Sequence, residues 1–349
     1  MNPPRHATVT SDAYLCRTLN TRGKQALSML KRIAAAAAIV LFKSTAVLAQ
    51  TIYPIDRADI LAGARFDLKV EFPAASGDVH LTINGQDAQA VTGAIPQLVS
   101  NEDGGTHSAL WLRDATLPRP GAYEVTASTQ AGSETVKWNV YSTGPRRARN
   151  VILFIGDGMS MAHRTAARIL SKGITQGKYE GKLAIDDMPY MALVSTAGTD
   201  SVITDSANSM SAYTTGHKSC VGALGVYCAR NNDSLAHPRV ENITSLAKRL
   251  SSIAVGIVTT SELSDATPAA MVAHTRKRSD MQSIVRMLFE ARPEVALGGG
   301  GAQFLPKELG GVRDDGVGLA EDDDPVRDGA AVDDGVRDGD VRPEAHRDP

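Results

Sequence analysis

Residues 144–150 divide the chain between two hydrophobic periods that cannot belong to one layer of structure. Before them, in residues 51–143, apolar and polar residues alternate with period two. Examples are Phe66-Asp-Leu-Lys-Val-Glu-Phe72, Val79-His-Leu-Thr-Ile83, Ala109-Leu-Trp-Leu112, Tyr123-Glu-Val-Thr-Ala127 and Val136-Lys-Trp-Asn-Val140. Successive side chains of a strand point to opposite faces, so this pattern describes strands with one buried face. Turn signals separate them: Ser76-Gly-Asp, Asn84-Gly85, Asp103-Gly-Gly and Pro118-Arg-Pro-Gly121. Short alternating strands at this spacing predict a small immunoglobulin-like all-β domain over 51–143, with the Trp and Phe residues in its core. No catalytic constellation stands out there, and a packing or spacer module is the simplest reading.

Beyond the polar, basic linker Gly144-Pro-Arg-Arg-Ala-Arg-Asn150 the pattern changes. Val151-Ile-Leu-Phe-Ile155 is a continuous apolar run, as expected of a strand buried on both faces. Helical patterns through Ser171, over 243–250 and over 280–290 alternate with apolar segments at Ala192-Leu-Val and Ala254-Val-Gly-Ile-Val258. That order predicts an α/β domain over 150–310 with a mostly parallel sheet and flanking helices. Ligands of such sheets bind at the carboxyl ends of the strands. From Gly311 on, Asp, Gly, Arg and Val dominate in near-repeats, and residues 311–349 read as a disordered acidic tail.

The first 49 residues have a different logic. Met29-Leu-Lys-Arg precedes an apolar run from Ile33 to Phe42, and Ala46-Val-Leu-Ala49 follows. This is the layout of an N-terminal extension carrying a signal peptide cleaved after Ala49, and the run is short for a membrane span. A periplasmic or secreted location is expected. The formal net charge of -2 gives no reason to expect nucleic-acid binding. Of the three cysteines, Cys16 would leave with the signal. Cys220 and Cys228 would then remain, either as a local disulfide or as two buried thiols.

Three motifs carry chemistry. Ile155-Gly-Asp157-Gly-Met159 sets a carboxylate at the end of the apolar run, although Asp-Gly is also a common turn pair. Thr204-Asp-Ser206-Ala-Asn-Ser-Met-Ser-Ala sets a serine at the start of a helix of small residues. There a helix N-terminus favours an anion, although Asp and Ser are also ordinary caps. Asp265-Ala-Thr267-Pro offers two hard oxygens of the kind magnesium takes, and Arg278 offers a planar fork for two phosphate oxygens.

In this order and spacing the motifs resemble the alkaline phosphatase family, from about Asn150 to about Gln303. The glycine-rich Val295-Ala-Leu-Gly-Gly-Gly-Gly301 is part of the likeness. The resemblance implies Ser206 as the nucleophile that becomes phosphoserine, and as a zinc neighbour. It implies Asp157 as a carboxylate bridging zinc and magnesium, Asp265 and Thr267 as magnesium ligands, and Arg278 as the phosphate clamp. Two Zn2+ and one Mg2+ are the cofactors it implies, and small phosphomonoesters the substrates. It is compatible with a homodimer, and it gives no reason to expect a stable membrane span. His163, His217 and His274 match no ligand of the family and read as structural or surface residues.

The family's zinc-ligating histidines have no counterpart here, and after Arg278 the only later histidine is His346. The abrupt loss of family character after about Leu309 fits a frameshift near Gly311. The expected function is therefore an exported phosphomonoesterase, inactive as written. Alternatives are a related phosphodiesterase or sulfatase, or a non-catalytic secreted remnant whose β-domain binds a surface polymer. The sulfatase version is disfavoured because Ser206 lacks that family's following Pro and Arg.

Overall fold

The computed structural model describes residues 50–251 and 253–313. The signal-peptide reading, Cys16, His346 and nearly all of the acidic tail lie outside the described residues.

The alternating region forms two packed sheets. One has the order β1 (Thr51–Tyr53), β3 (Arg65–Pro73), β7 (His107–Thr116), β6 (Pro96–Val99). The other has the order β2 (Asp59–Leu61), β9 (Gly132–Tyr141), β8 (Gly121–Thr129), β4 (His80–Ile83), β5 (Gln86–Asp87), and a short helix α1 (Ala88–Thr92) follows β5. All pairs are antiparallel except β2 with β9. The β4–β5 hairpin turns on Asn84 and Gly85, both at positive φ, the conformation that a two-residue hairpin of matching twist requires. Phe66, Leu68, Val70, Phe72, Leu81, Ile83, Val125, Val136 and Trp138 fill the space between the sheets. Phe66 meets Trp138 edge-on, with ring centroids 5.6 Å apart.

Trp111 departs from the expectation. It is buried, but on the outer face of its sheet, between Lys69 and Arg113, with its indole N–H donating to Glu102 at 2.7 Å. The alternation of β7 puts it opposite the core-facing Leu112, and polar neighbours cover it rather than the sandwich interior.

After the exposed linker come α2 (Met161–Lys172), the small hairpin β10 (Ile174–Thr175) and β11 (Lys178–Tyr179), and α3 (Ser206–Thr215). They are followed by α4 (Ile243–Ser251), β12 (Gly256–Glu262), α5 (Ala266–Ala269), α6 (Met281–Ala291), β13 (Val295–Gly299) and α7 (Gly301–Phe304). β12 and β13 pair in parallel, with Ile257 opposite Ala296. This is the parallel-sheet component of an α/β fold, and the glycine-rich run forms β13 and the turn after it. The apolar 254–258 run is realised two residues later than its sequence pattern indicates, as β12. A second core gathers Ala207, Met210, Leu224, Ile257, Leu263, Ala266, Ala269, Ala273, Ile284 and Leu288. Its many alanines let α3 approach α5 closely enough for Thr214 Oγ1 to donate to the Ala270 carbonyl at 2.9 Å.

Two expected strands are absent. Val151–Ile155 and Ala192–Val194 have no regular secondary structure and no strand partner, with Phe154 85% and Leu193 96% exposed. A strand buried on both faces needs a neighbour on each edge and a layer on each face. Among the described residues, no strand pairs with either segment.

Candidate active site

Asp205 and Ser206 sit where the chain enters α3. Asp205 is the N-cap: its Oδ1 accepts from the Asn208 amide at 3.0 Å, and Asn208 Oδ1 accepts from the Asp205 amide at 3.0 Å. This reciprocal box leaves the Ser206 hydroxyl free of capping duty. The first helical residue is therefore presented at the positive end of the helix, where anions are favoured.

Arg278 reaches that hydroxyl from 72 residues away, with Nη1 3.0 Å from Ser206 Oγ. Its Nη2 donates to Asp265 Oδ1 at 2.8 Å, and Nη1 also lies 3.3 Å from Asp205 Oδ2. Burial works against the Arg278 charge, but the hydrogen bonds to Asp265 and Asp205 outweigh it and hold its pKa above the ordinary value. Asp265 is placed by capping α5, accepting from the Ala266 amide at 2.7 Å. Thr267, on the first turn of α5, donates through Oγ1 to Asp157 Oδ2 at 2.7 Å.

Two groups therefore assemble: Ser206 with Arg278, Asp205 and Asp265, and Asp157 with Thr267. Asp157 arrives from an exposed turn rather than from a strand end. The sequence reading had no particular task for Asp205, which both caps α3 and grips Arg278. Its place beside Ser206 was the available signal.

Asp157, Asp205 and Asp265 carry three formal negative charges against the one positive charge of Arg278. A phosphate monoester dianion would meet net repulsion without further cations. Asp157 and Thr267 bring two hard oxygens together, with Asp265 at the start of the same short helix as Thr267, and these are oxygens of the kind that magnesium takes while keeping several waters. Zinc fits less well. Among the described residues no group of three or more His, Cys, Asp or Glu is arranged to hold a metal. Four of the described histidines are engaged elsewhere. His163 caps α2 with Ser160, and His217 Nδ1 lies 2.6 Å from the Tyr227 hydroxyl. His237 Nδ1 accepts from the Ala229 amide, and His274 Nε2 faces the Val240 carbonyl at 2.9 Å. These placements agree with structural or surface roles for His163, His217 and His274.

A serine at a helix start, met by an arginine whose fork two carboxylates hold in place, offers hydrogen-bond donors of the kind that grip a phosphoryl group. Residues 148–328, just over half of the chain, match the family model for alkaline phosphatase, and the chain belongs to that family. Among curated relatives, the tissue-nonspecific isozyme of alkaline phosphatase from Gallus gallus is 36% identical over 184 residues, covering 47% of this chain and 36% of that protein. Alkaline phosphatase of Escherichia coli K12 is 35% identical over 195 residues, covering 49% of this chain and 39% of that protein. A crystal structure of a cold-active alkaline phosphatase from Shewanella sp. shares 28% identity, covers 45% of this chain and 37% of that one, and overlays with a TM-score of 0.38. The chain spans between a quarter and two fifths of the length of the curated relatives it matches.

Proposed function

We propose that the chain carries the nucleophile-bearing part of an exported phosphomonoesterase that works through a phosphoserine at Ser206. The observation that carries this reading is the 3.0 Å approach of Arg278 Nη1 to Ser206 Oγ at the start of α3. In the first step Ser206 Oγ attacks phosphorus, the bond to the alcohol oxygen breaks, and the alcohol departs with a proton. In the second, water attacks the phosphoserine, releasing inorganic phosphate and restoring the hydroxyl. Arg278 offers its fork to two non-bridging oxygens, while Asp205 and Asp265 fix the plane of that fork.

Magnesium would be held by Asp157, Asp265 and Thr267, and a bound divalent cation supplies charge neutralisation for the phosphoryl oxygens. Zinc has no ligand set among the described residues. A serine hydroxyl is a weak nucleophile without activation. The chain by itself is therefore expected to turn over phosphomonoesters slowly or not at all.

The disulfide between Cys220 and Cys228, with Cα atoms 6.1 Å apart, supports an oxidising compartment and hence export. Among the described residues no helix is long and apolar enough to cross a membrane. Small phosphomonoesters are the proposed substrates. The assay is hydrolysis of a chromogenic phosphomonoester with magnesium and zinc, by this chain alone and by this chain joined to the C-terminal part of a relative. The joined protein should be active and lose nearly all turnover in Ser206→Ala. Undiminished turnover by that variant would refute the assignment.

A further inference from the structure

The strand β3 carries charged residues where its alternation predicts a wetted face. Phe66, Leu68, Val70 and Phe72 point into the sandwich, and Asp67, Lys69 and Glu71 point away from it. Yet these three are 2%, 0% and 2% exposed. A loop from the α/β region covers them.

The cover is built by backbone pairing as well as by charge. Phe66 and Val240 form an antiparallel bridge beyond the end of β1. The Asp67 amide donates to the Arg239 carbonyl at 2.8 Å, and the Glu241 amide donates to the Arg65 carbonyl at 2.9 Å. Side chains complete the clasp in both directions: Asp67 Oδ2 accepts from the Arg239 amide at 3.0 Å, and Glu241 Oε2 accepts from the Arg65 amide at 2.9 Å. Further along, Glu71 Oε1 accepts from the Arg230 amide at 2.7 Å, and the Tyr53 hydroxyl donates to the Cys228 carbonyl at 3.1 Å. Tyr53, Tyr227 and Val240 form an apolar cluster across the seam.

The same loop supports the candidate active site on its other side. The Val240 amide donates to the Gly225 carbonyl at 3.0 Å. Gly225 and Ala223 hold Ser211 of α3 between them: the Gly225 amide donates to Ser211 Oγ at 2.9 Å, which donates to the Ala223 carbonyl at 3.0 Å. Gly225 has φ +60°, and a Cβ there would come within 2.6 Å of the Ala273 carbonyl oxygen, so the loop can press this closely only without a side chain. Next to it the Gly222 amide donates to Asp205 Oδ2 at 3.1 Å, and the Gly222 carbonyl accepts from the Arg278 amide at 2.8 Å.

We infer that the β-sandwich is a fixed intramolecular buttress of the nucleophile site, docking through the charged face of β3 onto residues 228–241 and so holding the 220–228 loop against Ser206's helix and Arg278. Asp67 is then a positioning residue that acts through the Arg239–Glu241 clasp. The partner of this sandwich face is the chain itself, so the face is not free to bind a surface polymer. The functional meaning rests on Ser206 as nucleophile. The structural statement does not, and its test needs no turnover.

The test is hydrogen–deuterium exchange on the full chain with three variants. Asp67→Ala should raise exchange about tenfold or more not only in 228–241 but also in 205–228 and 275–278, while 121–141 stays protected. Asp67→Asn keeps an acceptor for the Arg239 amide and should restore most of that protection. Glu241→Ala removes the clasp from the other side, takes from the sandwich only the acceptor of the Arg65 amide at the start of β3, and should reproduce the pattern of Asp67→Ala. If both alanine variants open 228–241 and leave 205–228 and 275–278 at wild-type rates, the sandwich merely leans on the loop and the inference is wrong. It is equally wrong if Asp67→Asn exchanges like Asp67→Ala. Either result leaves the phosphatase reading of Ser206 intact.

Discussion

β3 and the segment 151–155 reverse each other's sequence patterns. β3 alternates and should wet one face, yet its three charged residues are almost wholly buried. Val151–Ile155 is continuously apolar and should be buried on both faces, yet Val151, Ile152, Leu153 and Phe154 are between 61% and 85% exposed. Both outcomes follow from what lies alongside. The charged face of β3 meets the 228–241 loop at Asp67 and Glu71, and Lys69 between them pairs with Glu71 and Glu102. The apolar run meets no described strand. Periodicity reports which faces differ, and tertiary neighbours decide which of them are covered.

Substitutions can break this comparison. The largest effect is expected on the sandwich side. Trp138→Ala empties the core between the sheets and should cost about 3–5 kcal/mol in denaturant unfolding. Lys69→Ala should cost a similar amount, about 3–5 kcal/mol, because Glu71 and Glu102 lose the ammonium that lies 2.9 Å and 2.6 Å from them. A loss below about 1 kcal/mol at Lys69 would show that water reaches this face.

The seam between the two regions should also respond to pH. Burial pushes His217 down to about 4, and burial together with the nearby Lys69 does the same to His237. Both values lie below the ordinary histidine pKa of 6.5, so the unfolded chain takes up protons first. Their contribution is complete above about pH 6.5 and is lost as pH falls through about 4, on the order of 3 kcal/mol per fully buried imidazole. Unfolding midpoints measured between pH 7 and pH 4 should fall, and His217→Phe should flatten part of that slope. An unchanged slope would place the imidazole in water.

At the small end, Asp205→Ala should cost about 1 kcal/mol through the lost cap of α3. Ser206→Ala, which removes no capping bond, should stay within about 0.5 kcal/mol. Phe154→Ser should also stay within about 0.5 kcal/mol, because the side chain already faces solvent. A cost of several kcal/mol at Phe154 would mean that the segment is packed after all.

What was legible in the sequence divides along physical lines. The five alternating segments became strands, and the patterns over 243–250 and 280–290 became α4 and α6, because each is set by local period and turn chemistry. The site was legible as motifs. The sequence carried Ser206, Asp265, Thr267, Asp157 and Arg278 but not the contact of Arg278 with a hydroxyl 72 residues away. Trp111 was misplaced because alternation cannot distinguish a core face from an outer face that another part of the chain covers. The Cys220–Cys228 disulfide, left open by the sequence, depended on a loop geometry that only the fold supplies. The whole seam of β3 with 228–241 was invisible for the same reason.

The most direct test of the Ser206 assignment is covalent trapping. The chain joined to the C-terminal part of a relative is incubated with a phosphomonoester, quenched in acid and digested, and the peptide containing Ser206 is weighed. The account predicts a mass increase of one phosphoryl group on Ser206, absent in Ser206→Ala and strongly reduced in Arg278→Ala. Turnover with no phosphoryl group on that peptide, or phosphorylation persisting in Ser206→Ala, would contradict it.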